Sequence, residues 1–513
     1  MNGNIKQFIL RFDMYSYHNF LFPFRFDKII EQFNDRHEFY KKNTFDKRVV
    51  LDKKFKDCLK KYGWEYQKFE VKNHLDYNEF IYFHDFTKDA LFNTQDFKEN
   101  ATSYYFEKQN ISNEYNFQIK NGKYYKLKLT TISLRIFDTG VGILSFEVEN
   151  HNYAELDDIL KINEFGRRIY PQFLSDGFST EDVKNSFLPE YMEVNGTTES
   201  FTQIDFQKIE LASFIIETLG DIFTTSSDKK DSYFIQPLLD DRMFVLSWYG
   251  NNLFSNTLKD EKYIKNDDWY RYIFVDDGKN IYSPKMQETL TKKATYDRWM
   301  NNEWGTTLYG MSRYSFVVIT DESDFAQDVL LKHIQTIYFQ IVTLLLVQRG
   351  SILRFSDEIT AISDINPDEK NLTTNISNLY KHYLRFKNKL YFKEITPQEQ
   401  GIELYDKARE IMRIDSDITD LSSEIQSLNN YAFILEEKEE KEQMNKLTKL
   451  GTTFVPVTFI ASLFGMNVFP EGLIDNYIGL TLSIVMIVII GLTSYLTYIN
   501  GINLKDFFTK MKK

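Results

Sequence analysis

The stretch that decides the fold is Pro456-Val-Thr-Phe-Ile-Ala-Ser-Leu-Phe-Gly-Met-Asn467. It ends one apolar segment and lies about ten residues before a second, residues 477–499. The second segment has 23 residues and no charge. At about 1.5 Å per residue, that length crosses a hydrocarbon core of about 30 Å. We therefore predict a transmembrane helix over 477–499.

The first apolar segment, residues 450–469, is more polar than the second. It carries Gly451, Thr458 and Ser462. Polar and small residues within a span usually face a bundle interior or a water-filled cavity. We therefore predict that this helix lines a pore and that the second helix faces lipid.

Two spans return the chain to the side on which it started. Lys505, Lys510, Lys512 and Lys513 follow the second span, and the positive-inside tendency places them in the cytoplasm. Both termini are therefore expected to be cytoplasmic, with a short loop outside at 470–476.

One long helix is expected to lead into the membrane. Residues 398–466 contain a single proline, Pro456, and mostly good helix formers, which predicts one helix of about 70 residues. Two apolar stripes follow its surface at spacings of three and four. The first, a heptad seam expected to drive self-association, comprises Ile418, Leu421, Ile425, Leu428, Ala432 and Leu435. The second, expected to line the pore, comprises Met444, Leu447, Gly451, Val455, Thr458 and Ser462.

A charged run separates the two stripes at 436–442, with sequence Glu-Glu-Lys-Glu-Glu-Lys-Glu. Such a run is usually a solvated helix face. In a symmetric funnel it would also concentrate divalent cations at the cytoplasmic mouth. Upstream, 325–362 and 372–395 are predicted helices. Within the first, 334–347 is apolar but too short for a span, so we expect a buried helix.

The N-terminal region is predicted to be α+β. Residues 123–150 alternate as two strands around Asp138-Thr139-Gly140, which indicates a hairpin, and 5–12 and 316–320 also have strand patterns. Two groups are candidates for ligand binding. Asn163, Arg167 and Arg168 either grip an anionic group or form a basic surface turn. A second group either stacks a base or belongs to the core, and comprises Trp304, Tyr309 and Arg313.

Composition narrows the function classes. The net charge of −12 argues against nucleic-acid binding. The single cysteine, Cys58, excludes an internal disulfide. The sequence lacks a phosphate-binding loop, a zinc-ligand spacing and a nucleophile elbow, so we expect no enzymatic activity.

The expected domains are a sensor (1–320), a helical bundle and stalk (321–443), the stalk end and first span (444–469), the loop (470–476), the second span (477–499) and a basic tail (500–513).

Gly465, Met466 and Asn467, placed between two terminal spans, resemble the signature of the CorA-type magnesium channels. The resemblance covers about the last 190 residues and is strong in the last 70. It implies a homopentameric funnel in the lipid bilayer of a bacterial inner membrane, with Mg²⁺ or another divalent cation as the permeant ion. It also implies that these three residues form the selectivity filter and that Asn467 contacts the hydrated ion. The chain departs from the usual Met-Pro-Glu-Leu loop, with Phe469-Pro-Glu-Gly-Leu473 instead.

The enlarged N-terminal region resembles the branch of that family associated with type III CRISPR defence. That resemblance implies gating by a nucleotide second messenger, S-adenosylmethionyl-AMP, in antiviral defence. The alternative is a housekeeping magnesium uptake channel gated by Mg²⁺ itself. A third hypothesis, a membrane anchor without conduction, leaves Asn467 and the polar stripe unexplained.

Overall fold

The computed structural model describes part of the chain. The described ranges are 14–29, 52–99, 101–120, 122–169, 188–201, 211–226, 229–239, 242–276, 278, 283–300, 306–363, 372–465, 481, 484–485, 488–489, 491–492 and 495. The predicted strand at 5–12, the loop at 470–476 and the tail at 500–513 lie outside these ranges, as does most of the second predicted span.

Within the described ranges, fourteen strands form one mixed sheet. The strands are β1 (Ser16–Lys28), β2 (Trp64–Tyr66), β3 (Ser103–Lys108), β4 (Glu114–Gln118), β5 (Tyr124–Phe137), β6 (Val141–Asn150), β7 (Tyr191–Val194), β8 (Thr197–Glu199), β9 (Phe223–Thr224), β10 (Tyr233–Pro237), β11 (Phe244–Gly250), β12 (Thr295–Tyr296), β13 (Thr307–Met311) and β14 (Ser315–Thr320). The main path runs β12-β13-β14-β11-β1-β6-β5-β4-β7-β8. Pairing is antiparallel except between β11 and β14 and between β9 and β10.

The helices are α1 (Lys53–Lys61), α2 (His74–Ile81), α3 (Asp85–Leu91), α4 (Leu156–Gly166), α5 (Ser213–Leu219), α6 (Asn252–Thr257), α7 (Asp267–Phe274), α8 (Pro284–Ala294), α9 (Phe339–Ser363), α10 (Leu372–Lys389), α11 (Glu399–Met412) and α12 (Ile414–Gly465). A 3₁₀ turn spans Lys262–Lys265, and π-helical segments at Ala326–Leu330 and Ile334–Tyr338 flank the short α-helical turn Leu331–His333 before α9. The N-terminal region thus combines helices and strands, and the C-terminal part is helical.

The predicted hairpin is confirmed. β5 and β6 pair antiparallel across a turn in which Gly140 has φ +76°, a left-handed conformation that favours glycine. A Cβ atom at residue 140 would also lie 2.2 Å from the Arg354 guanidinium. The turn therefore requires glycine for two reasons, its backbone angle and the close approach of α9. The predicted strand at 316–320 is confirmed as part of β14.

The sheet has two covered faces, because successive side chains along a strand point to opposite sides. On β13, a Cβ at Gly310 would meet Ile273 and Trp269 of α7, whereas the ring of Tyr309 packs against Tyr338 before α9. We call these the α4/α7 face and the α9 face. The core on the first is strongly aromatic, with Phe20, Phe22, Phe24, Tyr115 and Phe146 buried.

A buried ion network joins α9 to β1 and the hairpin turn. The Arg354 guanidinium donates to the carbonyls of Phe26 and Gly140, at 3.1 and 2.7 Å, and to the Asp27 carboxylate at 2.5 Å. Its Nε donates to Glu358 Oε1 at 2.9 Å, and neither side chain is more than 1% exposed. The buried guanidinium thus fixes where α9 crosses the sheet.

A second polar network lies on the α4/α7 face. His18 Nδ1 lies 2.7 Å from Asn163 Oδ1 of α4, and His18 Nε2 lies 2.8 Å from the Ser16 hydroxyl. Ser247 of β11 lies between His18 and the hydroxyl of Tyr272, at 3.2 and 3.0 Å. Because Asn163 Oδ1 accepts, Nδ1 of the neutral imidazole carries the proton.

The apolar helix at 334–347 is buried, as predicted. Among the described residues, the helical segment Ala326–Ser363 is long and apolar enough to cross a membrane, by length and composition. Yet 72% of its most apolar stretch is buried within the protein. Contacts such as the Tyr338–Phe316 ring pair and the Arg354 network account for that burial.

The prediction of one helix over 398–466 is wrong. Arg413, with φ +59°, ends α11 and separates its 14 residues from the 52 residues of α12. The Arg413 N–H bonds back to the carbonyls of Arg409 and Glu410, which closes the end of α11. Asp415 in the first turn of α12 pairs with Arg409 and accepts from the Tyr391 hydroxyl at 2.8 Å. Tertiary hydrogen bonds thus stabilise a break that helix propensity does not predict.

The prediction that the heptad seam is free to join subunits is wrong for its first part. Ile418, Leu421 and Ile425 are at most 5% exposed within the single chain. Their side chains already pack inside the protein, so they offer no surface to a second copy. The chain divides into two compact units, Met1–Gln426 and Ser427–Lys513, and these three residues belong to the first. The predicted boundary at residue 320 falls within that unit.

Replacing Arg354 with Met should destabilise the protein by about 3–5 kcal/mol, because it removes the buried guanidinium that pairs with Asp27 and Glu358. Thermal and urea unfolding, followed by near-ultraviolet circular dichroism, would measure the loss. Lys161→Met is the matched control, since Lys161 forms an exposed pair with Asp157 that contributes about 0–1 kcal/mol. Equal effects of the two substitutions would contradict the assigned role of the network.

Acidification should destabilise the protein through His18. Burial lowers the pKa of His18 from 6.5 to about 4, although the Asn163 hydrogen bond partly offsets this effect. The folded state therefore keeps the imidazole neutral, while the unfolded chain takes up a proton below pH 6.5. Stability present above pH 6.5 should be lost as the pH falls toward 4, by about 3 kcal/mol.

The measurement is the difference in melting temperature between wild type and His18→Gln, recorded from pH 7 to pH 4.5. The difference removes the contribution of carboxylates, which both proteins share. A wild type whose melting temperature follows the same pH curve as the variant would contradict this prediction.

Candidate functional site

The second apolar stripe lies along one face of the C-terminal half of α12. Met444, Leu447 and Val455 are 60%, 55% and 64% exposed. Thr458 and Ser462 are exposed as well, and Gly451 is half-buried, with no atom within 4 Å of a Cβ built there. The single chain thus leaves an apolar and hydroxyl stripe uncovered along one helix face, at the predicted spacing.

The hydroxyl groups of this stripe bond to their own helix. Thr458 Oγ1 donates to the carbonyls of Phe454 and Val455 at 3.1 and 3.0 Å, and Ser462 Oγ donates to the Thr458 carbonyl at 2.6 Å. Each hydroxyl proton is therefore satisfied locally, while the oxygen lone pairs remain as acceptors. Such a surface accepts hydrogen bonds from water without presenting a charge.

The charged run at 436–442 is exposed along α12. Lys441 Nζ lies 2.6 Å from Glu437 Oε1, an i,i+4 pair that lowers the pKa of the Glu437 carboxyl. The usual interpretation of such a run, a solvated helix face, fits this placement. Gly465 is the last residue of α12, and Met466 and Asn467 lie outside the described residues.

The arginine pair lies at the C-terminal end of α4. Arg167 and Arg168 are 2% and 0% exposed, so the interpretation as a basic surface turn is wrong. Arg167 Nη2 donates to Glu164 Oε2 at 2.6 Å and to the Val275 carbonyl at 2.8 Å, and Arg168 pairs with the other Glu164 oxygen. Burial opposes ionisation of Glu164, but the two arginines outweigh it and lower its pKa. Both arginines thus already hold an anion, the Glu164 carboxylate.

Tyr309 lies on the α9 face, away from the arginine pair. Its hydroxyl accepts from Gln400 Nε2 of α11 at 2.8 Å and lies 3.4 Å from the Tyr338 hydroxyl. Arg313 is exposed in the β13–β14 turn, where its carbonyl accepts from Arg349. Trp304 lies outside the described residues.

The described residues of the two candidate groups do not come together in one site. Asn163 belongs to the His18 network on the α4/α7 face. Tyr309 belongs to the packing between the sheet and α11 on the α9 face.

Sequence reasoning also missed a cavity of about 290 Å³ on the α9 face. Its walls come from residues far apart in the chain, including Glu79, Glu107, Arg135, Glu147 and Gln340. One signal was available in the sequence. Glu147 lies between the apolar residues Phe146 and Val148 of β6, where a charge must have a partner or water.

Comparison with known proteins assigns the C-terminal part of the chain. Residues 293–497 match the model of the family described as CorA-like Mg²⁺ transporter protein. No curated protein matches the chain. The matched range covers β13, β14, all of α9 to α12 and most of the second predicted span. Proteins of this family are membrane-embedded, generally oligomeric transporters of Mg²⁺ and other divalent cations, and they are not enzymes. The match shows that residues 293–497 of this chain are similar to the CorA-like Mg²⁺ transporter family.

Proposed function

We propose that this protein is a homopentameric divalent cation channel whose pore is lined by the C-terminal half of α12. The observation that carries the proposal is the exposed stripe from Met444 to Ser462, which lies within the range matched by the family model. The C-terminal half of α12 carries an apolar and hydroxyl face. Such a face is suited to line a pore between symmetry-related copies.

The proposed filter is formed by Gly465, Met466 and Asn467. Mg²⁺ gives up its water ligands reluctantly. A ring of neutral Asn467 amides would hydrogen-bond the hydrated ion without removing that water. Thr458 and Ser462, whose hydroxyl protons are bound to their own helix, would present acceptor oxygens to the same hydrated ion farther along the pore.

The proposed gate is the apolar part of the stripe. Met444, Leu447 and Val455 would form constrictions that close by losing water when the helices approach. The acidic run at 436–442 lies directly before them on α12 and would raise the local cation concentration.

We further propose that the N-terminal unit gates the pore in response to a nucleotide second messenger, S-adenosylmethionyl-AMP, in type III CRISPR defence. The size of the sheet unit supports a sensory role. The buried Arg167–Glu164–Arg168 cluster would bind an anion only if Glu164 were displaced. Housekeeping uptake gated by Mg²⁺ is the competing function. Binding of the messenger to the full-length protein, measured by calorimetry alongside Mg²⁺ titration, discriminates between the two.

Replacing Asn467 with Ala should reduce Mg²⁺ flux to the background of empty liposomes, because the filter loses its amide ring. Flux would be followed with a Mg²⁺-sensitive dye trapped in the vesicles. Asn476→Ala, the same change nine residues later in the predicted loop, should retain flux. Wild-type flux through Asn467→Ala would refute the filter assignment.

Replacing Leu447 with Asn should give a channel that leaks in its closed state, because a polar ring removes the barrier to water. Single-channel recording would detect the closed-state current. Lys446→Asn is the control, since position 446 lies about 100° around the helix from the stripe. If Lys446→Asn leaks as much as Leu447→Asn, the stripe does not face the pore axis.

A further inference from the structure

The cavity on the α9 face is a partly open polar site that the proposed transport function does not use. It lies among α2, β3, β5, β6 and the start of α9. Exposed Lys68, Glu70 and Lys72 border it, while Glu79, Arg135 and Gln340 in its wall are at most 8% exposed. Its volume of about 290 Å³ is near the lower limit for small-molecule sites. The cavity is therefore large enough for a small metabolite.

Three carboxylates in this cavity lack sufficient positive charge nearby. Burial raises the pKa of Glu79 and of Glu107, and it raises the pKa of Glu147 to about 7. The hydrogen bond from Gln340 to Glu79 and the nearby hydroxyls of Tyr105 and Tyr17 only partly offset the effect of burial on these pKa values. A cation among these carboxylates would restore their ionised form.

The arginine in the cavity is separated from the carboxylates by an amide. Arg135 Nη1 donates to Gln340 Oε1 at 2.7 Å, and Gln340 Nε2 donates to Glu79 Oε1 at 2.8 Å. The guanidinium also lies over the ring of Tyr105, with its central carbon 5.0 Å from the ring centroid. The Gln340 amide thus lies between Arg135 and Glu79 and hydrogen-bonds to both, so that the two charged side chains do not pair directly.

Arg135 supplies a positive charge in the wall of the same cavity. Its Nε–H has no hydrogen-bond partner among the described residues, but this atom is almost inaccessible, so a ligand would reach the guanidinium only through another nitrogen. The wall of the cavity therefore carries both carboxylates and a guanidinium.

A bare metal ion does not match the mixture of carboxylates and a guanidinium in this cavity. Among the described residues, no three His, Cys, Asp or Glu side chains are grouped closely enough to hold one. A metal ion also offers no acceptor to Arg135. A small molecule with an ammonium group and a carboxylate could pair with a glutamate and with Arg135 at the same time.

We propose that this cavity binds a small zwitterion of the amino-acid class, with its ammonium group against Glu147 and its carboxylate against the Arg135 guanidinium. Phe69, Phe92 and Phe339 in the wall would contact its apolar part. Phe339 and Gln340 begin α9, so the ligand would contact the helix held by the Arg354 network. This binding site does not depend on the transport function proposed above.

The first experiment uses the full-length protein in detergent and the proteinogenic L-amino acids, tested one at a time at millimolar concentration by thermal shift. Calorimetry then compares the best binder with its decarboxylated amine and its deaminated acid. Each analogue should bind at least about tenfold more weakly, because each loses one charged hydrogen-bonding group. Absence of any thermal shift, or an amine that binds as tightly as the amino acid, overturns the proposal.

The second experiment tests Glu147. Glu147→Gln should weaken binding of the same amino acid by about tenfold or more, whereas Glu193→Gln should leave it unchanged. Glu193 is also a half-buried strand glutamate, but it lies in β7 beside Asn116 and outside the cavity. Equal effects of the two substitutions overturn the proposed site.

Proton release on ligand binding is measured with the wild-type protein, so this test can be made even if Glu147→Gln does not fold. Near pH 7 part of the Glu147 population is protonated, and an ammonium group would favour the carboxylate and expel that proton. The charged and titratable groups that face Glu147 or line the cavity are Tyr17, Asp76, Glu79, Tyr105, Glu107, Arg135, Glu149, Lys68, Glu70 and Lys72. Calorimetry of the wild type in two buffers of different ionisation enthalpy should show proton release and tighter binding from pH 6 to pH 8. Binding without proton release overturns the proposal.

Discussion

The buried guanidinium of Arg354 is the contact that joins the helical part of the protein to its sheet. It bonds to two backbone carbonyls, one on β1 and one in the β5–β6 turn, and to the carboxylates of Asp27 and Glu358. A charge taken out of water is tolerated only when such partners surround it. Gly140 is required because any side chain there would collide with the guanidinium. The position of α9 across the sheet follows from this cluster.

The position of α9 across the sheet brings further polar side chains together. α9 places Gln340 between Arg135 and Glu79, and its Gln348 bonds to the Tyr405 hydroxyl of α11 at 2.9 Å. Gln400 of α11 in turn donates to the hydroxyls of Tyr309 and Tyr338. The sheet, α9 and α11 thus share continuous polar contacts within one unit. A ligand that shifted α9 would act on the same contacts.

The break at Arg413 changes how the long helix is understood. A single straight helix over 398–466 would run without interruption from the contacts of α11 with the sheet to the end of α12. Instead, α11 and α12 meet at Arg413, which has a left-handed backbone conformation. Arg409 and Tyr391 bind Asp415 in the first turn of α12, and these contacts fix the direction in which α12 begins. The burial of Ile418, Leu421 and Ile425 attaches the start of α12 to its own chain.

The sequence alone determined the local features. Strand alternation and the Asp138-Thr139-Gly140 turn predicted the β5–β6 hairpin, and the Gly-Met-Asn triplet indicated the family whose model matches residues 293–497. These features depend on residues that are neighbours in the chain, so their periodicity is visible in one dimension.

Tertiary structure alone decided which distant residues meet. It placed Arg167 and Arg168 on Glu164, put Tyr309 on the opposite face of the sheet, ended α11 at Arg413 and assembled Glu79, Glu107, Arg135 and Glu147 around one cavity. Charges were visible in the sequence, but their partners were not. Whether a buried charge is satisfied can depend on a side chain 327 residues away, as for Arg354 and Asp27, and only the folded chain brings the two within hydrogen-bond distance.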